Sequence, residues 1–369
     1  MTFSLFYDKI NKKIGARVLK RDNSLFKNII PAVAFVSLTV VLTVFLVNRL
    51  SGGEAAKTEK REKHYYGFFD TVCSVYGYNA ETDEEFEENC KLIEEKLDYY
   101  HKLFDIYNEY DGIVNLATVN RLAKDEKVKI SPELAEFLNY SVSMHDLTDG
   151  NVNIAMGSVL SVWHKYREKG ESLPTKEELL SASAHTDINS LVVDGDGGTV
   201  SYSDPDLLLD VGAIAKGYTA EKCAELLKEK GVTAYVLDFG GNLRAVGTKP
   251  NGGTWRTGVK NPDMLSDISY VYYLDVADTS VVTSGDYQRF FVVDGKSYHH
   301  IIDKDTLFPA EHYSSVTVIT ENSGLADALS TALFNMEIEE AKMLLDTVDG
   351  VSVVWVYADG KIETYGIDD

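Results

Sequence analysis

In residues 82–104 the apolar positions Phe86, Cys90, Ile93, Leu97, Tyr100 and Phe104 step by four and three in alternation, which puts them on one helical face. Thr82 and Glu85 have the spacing of a capping box at its start, and Cys90 belongs to the buried stripe. Ser131 followed by Pro132 opens a second helix, and Thr175 with Glu178 caps a third. Residues 220–230, closed by Gly231, form a fourth. Beyond that point the pattern becomes that of strands, at residues 234–238, 270–276, 290–293, 298–302 and 315–320. Helices near 325–335 and 338–348 precede a last hairpin that begins at 351–357 and turns at Asp359-Gly360. Strands in runs, with helices inserted in groups, predict an α+β domain rather than a regular βαβ winding.

One stretch fits neither period. Residues 29–47, IIPAVAFVSLTVVLTVFLV, carry no charge over nineteen positions, close to the roughly 20 that a helix needs to cross a bilayer. Residues 1–28 hold seven Lys and Arg against two Asp, a net of +5, so the total of −22 leaves −27 for the rest. This asymmetry predicts a cytoplasmic basic segment, 1–28, a single transmembrane anchor, 29–47, a tether, 48–63, and an extracytoplasmic domain, 64–369. A cleaved signal peptide has shorter basic and apolar regions, and Glu54-Ala55-Ala56 is only a weak cleavage site.

With 44% hydrophobic and 11% aromatic residues the chain is not a disordered acidic polymer. Its acidity excludes a general nucleic-acid binder, which needs clustered cations to displace counterions. Cys73, Cys90 and Cys223, without any CxxC spacing, indicate neither a zinc knuckle nor a disulfide framework.

Five short constellations carry the candidate chemistry. In LLLDVGAIAKGYTAEKC, a strand ending at Asp210 leads through a turn with Gly212 to Lys216 and Gly217 at a helix mouth, an arrangement that suits a phosphate. Phe239-Gly240-Gly241-Asn242 follows a strand and lets backbone approach a ligand. Thr283-Ser284-Gly285-Asp286-Tyr287 comes next, then Tyr298-His299-His300-Ile301-Ile302-Asp303, where strand geometry sends the two histidines to opposite faces. In GLADALSTA, Asp327 and Thr331 stand four apart, opposite the apolar face. A carboxylate and a hydroxyl there offer hard oxygen ligands for Mg²⁺ or, in the blander reading, form a solvated helix face.

In order and spacing these five motifs resemble the ApbE-type FAD:protein FMN transferase family, over about residues 65–346. The resemblance implies an ApbE-like, T-fold-related α+β architecture of mixed sheets flanked by helices. It implies enzymes that bind FAD with a divalent metal, attach FMN through its phosphate to a Thr or Ser of an exported target protein, and release AMP. By that analogy Asp327, Thr331 and the carbonyl of Ala213 hold Mg²⁺. Asp210 and Lys216 hold the adenylate end, and Gly240, Gly241, Asn242, Ser284, Gly285, Asp286 and Tyr287 match the pocket motifs. Tyr107 stacks on the flavin, and His300, titrating near neutrality, is the base for the acceptor hydroxyl. An FAD pyrophosphatase and a flavin-binding protein without turnover are the alternatives.

The chain departs from the family pattern at Phe69-Asp70-Thr71, which stands for Met-Gly-Thr, and at Asn151-Val152-Asn153 ahead of Trp163. It also reads Asp303-Lys304-Asp305-Thr306-Leu307 where the family has Asp-Pro-x-Thr-Gly, which predicts a differently shaped loop.

Overall fold

The computed structural model describes residues 60–78, 82–195 and 198–367. The basic segment, the anchor and most of the tether lie outside the described residues. Among the described residues no helix is long and apolar enough to cross a membrane.

The chain begins with β1 (Arg61–Phe68), β2 (Thr71–Gly77), α1 (Asp83–Phe104), α2 (Leu116–Leu122), β3 (Val128–Lys129) and α3 (Pro132–Leu147). It continues through α4 (Gly157–Lys169), α5 (Lys176–Ser183), β4 (Leu191–Asp194), β5 (Thr199–Tyr202) and α6 (Ala215–Glu229). A run of strands follows: β6 (Ala234–Phe239), β7 (Asn242–Gly247), β8 (Trp255–Lys260), β9 (Tyr270–Val276), β10 (Ser280–Gly285), β11 (Phe290–Val293), β12 (Lys296–His299) and β13 (Ser315–Thr320). The last elements are α7 (Ser323–Asn335), α8 (Ile338–Leu345), β14 (Ser352–Val356) and β15 (Ile362–Tyr365).

Eight strands form one sheet in the order β1-β2-β6-β7-β10-β13-β14-β15. Every pairing between named strands is antiparallel, so the expectation of mixed sheets is corrected. Antiparallel neighbours can be joined by a short turn, as β1–β2, β6–β7 and β14–β15 are, whereas parallel strands need long crossovers. Strand β6 shows why the sheet is covered on both sides. Its Tyr235, Leu237 and Phe239 pack with Phe86, Ile93 and Leu97 of α1 and Leu227 of α6, while Ala234 and Val236 pack with Trp255, Val259, Leu274 and Val276 of the β8–β9 hairpin. Each large side chain buried in this way contributes on the order of 1.5–3 kcal/mol.

The cap signals hold. The Thr82 hydroxyl accepts the Glu85 N–H at 3.2 Å and the Glu85 carboxylate accepts the Thr82 N–H at 2.8 Å; Thr175 and Glu178 form the second capping box. Cys90 is fully buried. Several boundaries differ from the sequence pattern; the helix expected over 338–348, for one, ends at Leu345. Strand β1 starts at Arg61, inside the segment expected to be a tether. Helix α6 starts at Ala215, five residues before the expected 220, because Tyr218 and Thr219 extend its buried face. Strand β12 ends at His299, so His300 to Ile302 leave the ladder instead of extending it.

Candidate functional site

The motifs converge on one cleft of about 1420 Å³, large enough for a ligand well beyond the usual drug-sized range. Its floor lies where α6 meets α7. Gly217 makes that meeting possible: a Cβ there would run into the Ser323 carbonyl oxygen and the Asp327 Cβ. The close approach lets the Gly217 N–H donate to Asp327 Oδ2 at 2.8 Å. Lys216 Nζ stands 3.8 Å from the same oxygen. Glu221 fixes the other end of the contact, because its Oε2 accepts both the Ser323 N–H at 2.7 Å and Arg244 Nε at 3.0 Å, with Arg244 only 1% exposed. One carboxylate thus occupies a free N–H of the first turn of α7 and pairs a buried guanidinium.

Asp327 is 3% exposed, which rules out the solvated-face reading. Helix α7 is buried almost all round, so its second face packs as well as its apolar one. Burial pushes the Asp327 carboxyl above its ordinary value, opposed by Lys216 and the Gly217 N–H. One turn on, Thr331 Oγ1 lies 3.4 Å from Ser284 Oγ, which also bonds Ser330 Oγ at 2.8 Å. The Asp327 carboxylate, the Thr331 hydroxyl and Ala213 all border the cleft. A buried carboxylate and a hydroxyl one helical turn apart are hard-oxygen donors that fit a divalent cation keeping water or phosphate oxygens. Among the described residues the close group of His, Asp or Glu ligands lies elsewhere, at His185, Asp204 and Asp206.

Gly240 and Gly241 both have positive φ, +65° and +96°, and a Cβ on Gly240 would strike the Thr71 side chain. The Asn242 amide nitrogen is buried without a hydrogen-bond partner, and its proximity favours the Asp327 anion. Asp210, whose Oδ1 accepts the Gly212 N–H at 2.9 Å, lines the same cleft as Gly240, Gly241, Asn242, Ser284 and Tyr287. Gly285 and Asp286 do not reach it. The Tyr287 ring folds back over Gly285, where a Cβ would meet it at 2.6 Å, and the Asp286 N–H donates to the Ser314 carbonyl at 3.1 Å. These two residues shape the turn that presents Tyr287.

The two histidines part, as expected, although only His299 belongs to a strand. His299 turns inward, its Nε2–H donating to the Ala310 carbonyl at 2.8 Å while Nδ1 accepts the Ile301 N–H at 3.2 Å. His300 lines the cleft, and its Nδ1 is buried with no partner. Burial, with Arg289, Lys216 and Arg167 nearby, holds the His300 imidazole down to about 3, which corrects the expectation that it titrates near neutrality; it is neutral at ordinary pH.

Tyr107 is 69% exposed on the cleft wall and its hydroxyl meets His164 Nδ1 at 2.9 Å. His164, Arg167 and Arg289 are the site residues that sequence reasoning missed. Arg289 lies just beyond the Thr283 to Tyr287 motif, and its guanidinium donates to the Phe69 carbonyl at 3.2 Å. Phe69 and Asp70 both adopt left-handed backbone, φ +51° and +52°, without glycine. The 303–307 loop likewise takes φ +62° at Leu307, the conformation favoured by the family's glycine. Asp303 Oδ1 accepts the Thr306 N–H at 2.6 Å, and the Leu307 carbonyl accepts Trp163 Nε1–H at 2.9 Å. The lost Pro and Gly therefore leave a turn with a glycine-like corner.

Fold and site together define an α+β enzyme with one large cleft lined by Lys216, Arg167 and Arg289. The ApbE family matches residues 69–355, and the chain belongs to that family. It is 31% identical over 310 residues to an FAD:protein FMN transferase of Treponema pallidum, covering 79% of this chain and 83% of that protein. It is 27% identical over 274 residues to one of Haemophilus influenzae, covering 73% and 76%. The crystal structure of the ApbE protein of Thermotoga maritima superposes with a TM-score of 0.75 at 27% identity, covering 84% of this chain and 97% of that one.

Proposed function

We propose that this chain is an FAD:protein FMN transferase that moves FMN from FAD to a Thr or Ser hydroxyl of an exported protein and releases AMP. The observation that carries the reading is the convergence of Asp327, Thr331, Lys216 and His300 on one cleft. In the reaction a bond forms between the acceptor Oγ and the FMN phosphorus, and the bridging bond to the AMP phosphate breaks. The hydroxyl proton passes to His300 and then to solvent or the departing phosphate.

Asp327, Thr331 and the Ala213 carbonyl would hold Mg²⁺, which when bound neutralises charge at the pyrophosphate. Lys216, Arg167 and Arg289 offset the repulsion that a pyrophosphate meets from a domain, residues 64–369, of net charge −29. Neutral His300 is free to accept a proton, and a phosphate anion beside it raises its basicity from the depressed value. Asp210 orients the Gly212 turn under the adenylate end, and Tyr107 offers a ring face to the flavin. We further propose that residues 29–47 anchor the chain in the cell membrane with the domain outside, a topology tested by protease accessibility in intact cells.

Incubation of the protein with FAD, Mg²⁺ and Thr-containing exported proteins, followed by intact-mass measurement and AMP chromatography, tests the reading. An FMN-sized mass gain matched by AMP release supports it. Free FMN with AMP and no modified protein would mark hydrolysis instead.

A further inference from the structure

Asp327, Thr331 and Asn335 stand at four-residue intervals on α7, which puts them on one face of the helix. All three border the cleft. The first two supply the hard oxygens at its floor, whereas Asn335, the last residue of the helix, has no part in that set. At about 1.5 Å of rise per residue it stands about 6 Å beyond Thr331 along the helix axis.

Its side chain is held but not satisfied. Asn335 is 6% exposed, its Nδ2 donates to the Asn151 carbonyl at 3.5 Å, and its Oδ1 is buried with no hydrogen-bond partner. Turning the amide over would set its oxygen against the Asn151 carbonyl oxygen, so the contact keeps Oδ1 as the free end, an acceptor only. A buried acceptor without a partner is costly to the protein, and a ligand that brings an N–H to it removes that cost. The wall on this side is apolar. Val152 follows Asn151 and is 1% exposed, Met156 lies in the same run of chain and packs with Ile302, and all three line the cleft. A sugar brought here would leave its further hydroxyls unpaired against that wall. A flat heteroaromatic ring buries its faces on such a wall and presents a donor at its edge.

We propose that Asn335 Oδ1 is a specificity-determining acceptor that takes a ring N–H of the bound dinucleotide, so that this part of the cleft selects its substrate by the edge of one heteroaromatic ring. The proposal rests on the transferase reading and adds the atom that identifies a ring. FAD offers two such donors, the N3–H of the isoalloxazine and the N6 amino group of adenine, and both present the same chemistry to an amide oxygen.

The test uses the full-length chain and three dinucleotides: FAD, FAD methylated at flavin N3, and the analogue with hypoxanthine in place of adenine, which turns the N6 donor into a carbonyl. Dissociation constants are read by calorimetry with Mg²⁺ withheld, so that no dinucleotide is cleaved. They are measured for the natural chain and for Asn335→Ala, which removes the acceptor and leaves room for a methyl group. The expected result is that one analogue binds the natural chain at least about tenfold more weakly than FAD, because it leaves a buried acceptor unpaired, and that the gap closes to about twofold in the variant. The analogue whose gap closes names the ring. Two analogues that bind the natural chain as FAD does, or a gap that Asn335→Ala leaves in place, overturn the assignment. The comparison of analogues on the natural chain stands even where the variant fails to fold. AMP release and protein modification are measured separately with Mg²⁺. Ring selection through Asn335 with neither of them overturns the transferase reading and keeps the ring contact, whereas active transfer without ring selection does the reverse. A chain that binds no FAD with or without Mg²⁺ overturns both.

Discussion

The Oδ2 atom of Asp327 accepts the backbone N–H of Gly217 at 2.8 Å, joining α7 to α6 at the cleft floor. That bond needs a residue without a side chain at 217. The Gly217→Ala change should cost about 1–3 kcal/mol, as overpacking usually does, and displace Asp327 as the helices separate. Denaturant melting should show the loss. AMP release should fall further than the melting predicts; activity retained in the folded variant would separate the contact from the chemistry.

Asp327→Asn divides stability from function. Burial raises the Asp327 carboxyl above its ordinary 3.8, so the stability tied to its neutral form is present at low pH and lost as pH rises through the raised value. Asn stays neutral and avoids that loss. The metal-free variant should therefore melt higher than the natural chain at neutral pH and show a flatter pH dependence. Metal-stimulated AMP release should drop by more than the roughly 10- to 100-fold that loss of an outer-shell partner costs.

For His300→Ala, transfer should slow by about 10²- to 10⁴-fold with FAD binding spared. Equal loss of binding and transfer would make His300 a binding residue. Since the base must be unprotonated and the imidazole is held down to about 3, the acid limb of kcat/KM from this group should lie near that value. An acid limb near the ordinary 6.5 in kcat/KM would contradict the assignment.

Leu307 sets two effects against each other. Its left-handed backbone, φ +62°, costs about 1–2 kcal/mol, while truncation of a buried leucine costs about 2–5 kcal/mol, and its side chain is 7% exposed. Burial wins, so Leu307→Gly should lower thermal stability despite restoring the family's residue. A rise in Tm would show that backbone strain outweighs the lost packing.

Much of the floor was legible because its signals are local. Thr82 with Glu85 and Thr175 with Glu178 declare their helices, and the four-residue spacing of Asp327 and Thr331 follows from helical period alone. Lys216 was legible from its place at a helix mouth, whereas the two arginines were not. Arg167 on α4 and Arg289 before β11 are far apart in the chain and reach the cleft only through tertiary packing, which also pairs Glu221 with Arg244 behind it. Gly285 and Asp286 show the converse, since sharing a motif with Ser284 and Tyr287 does not bring them to the cleft. Helix α2 spans seven residues, too short for its period to stand out, and its Asn115 cap becomes apparent only from the bonds it makes.

His299 and His300 are chemically identical neighbours, told apart by where β12 stops: His299 is its last residue and His300 the first beyond the ladder. The turn at Asp294 and Gly295, with φ +50° and +79°, sets the pairing of Phe290 with His299. A one-residue slip there would turn His299 to the other face and carry His300 away from its position. Both imidazoles would survive such an error, but neither would keep its place, so this short hairpin keeps the reading frame of the active site.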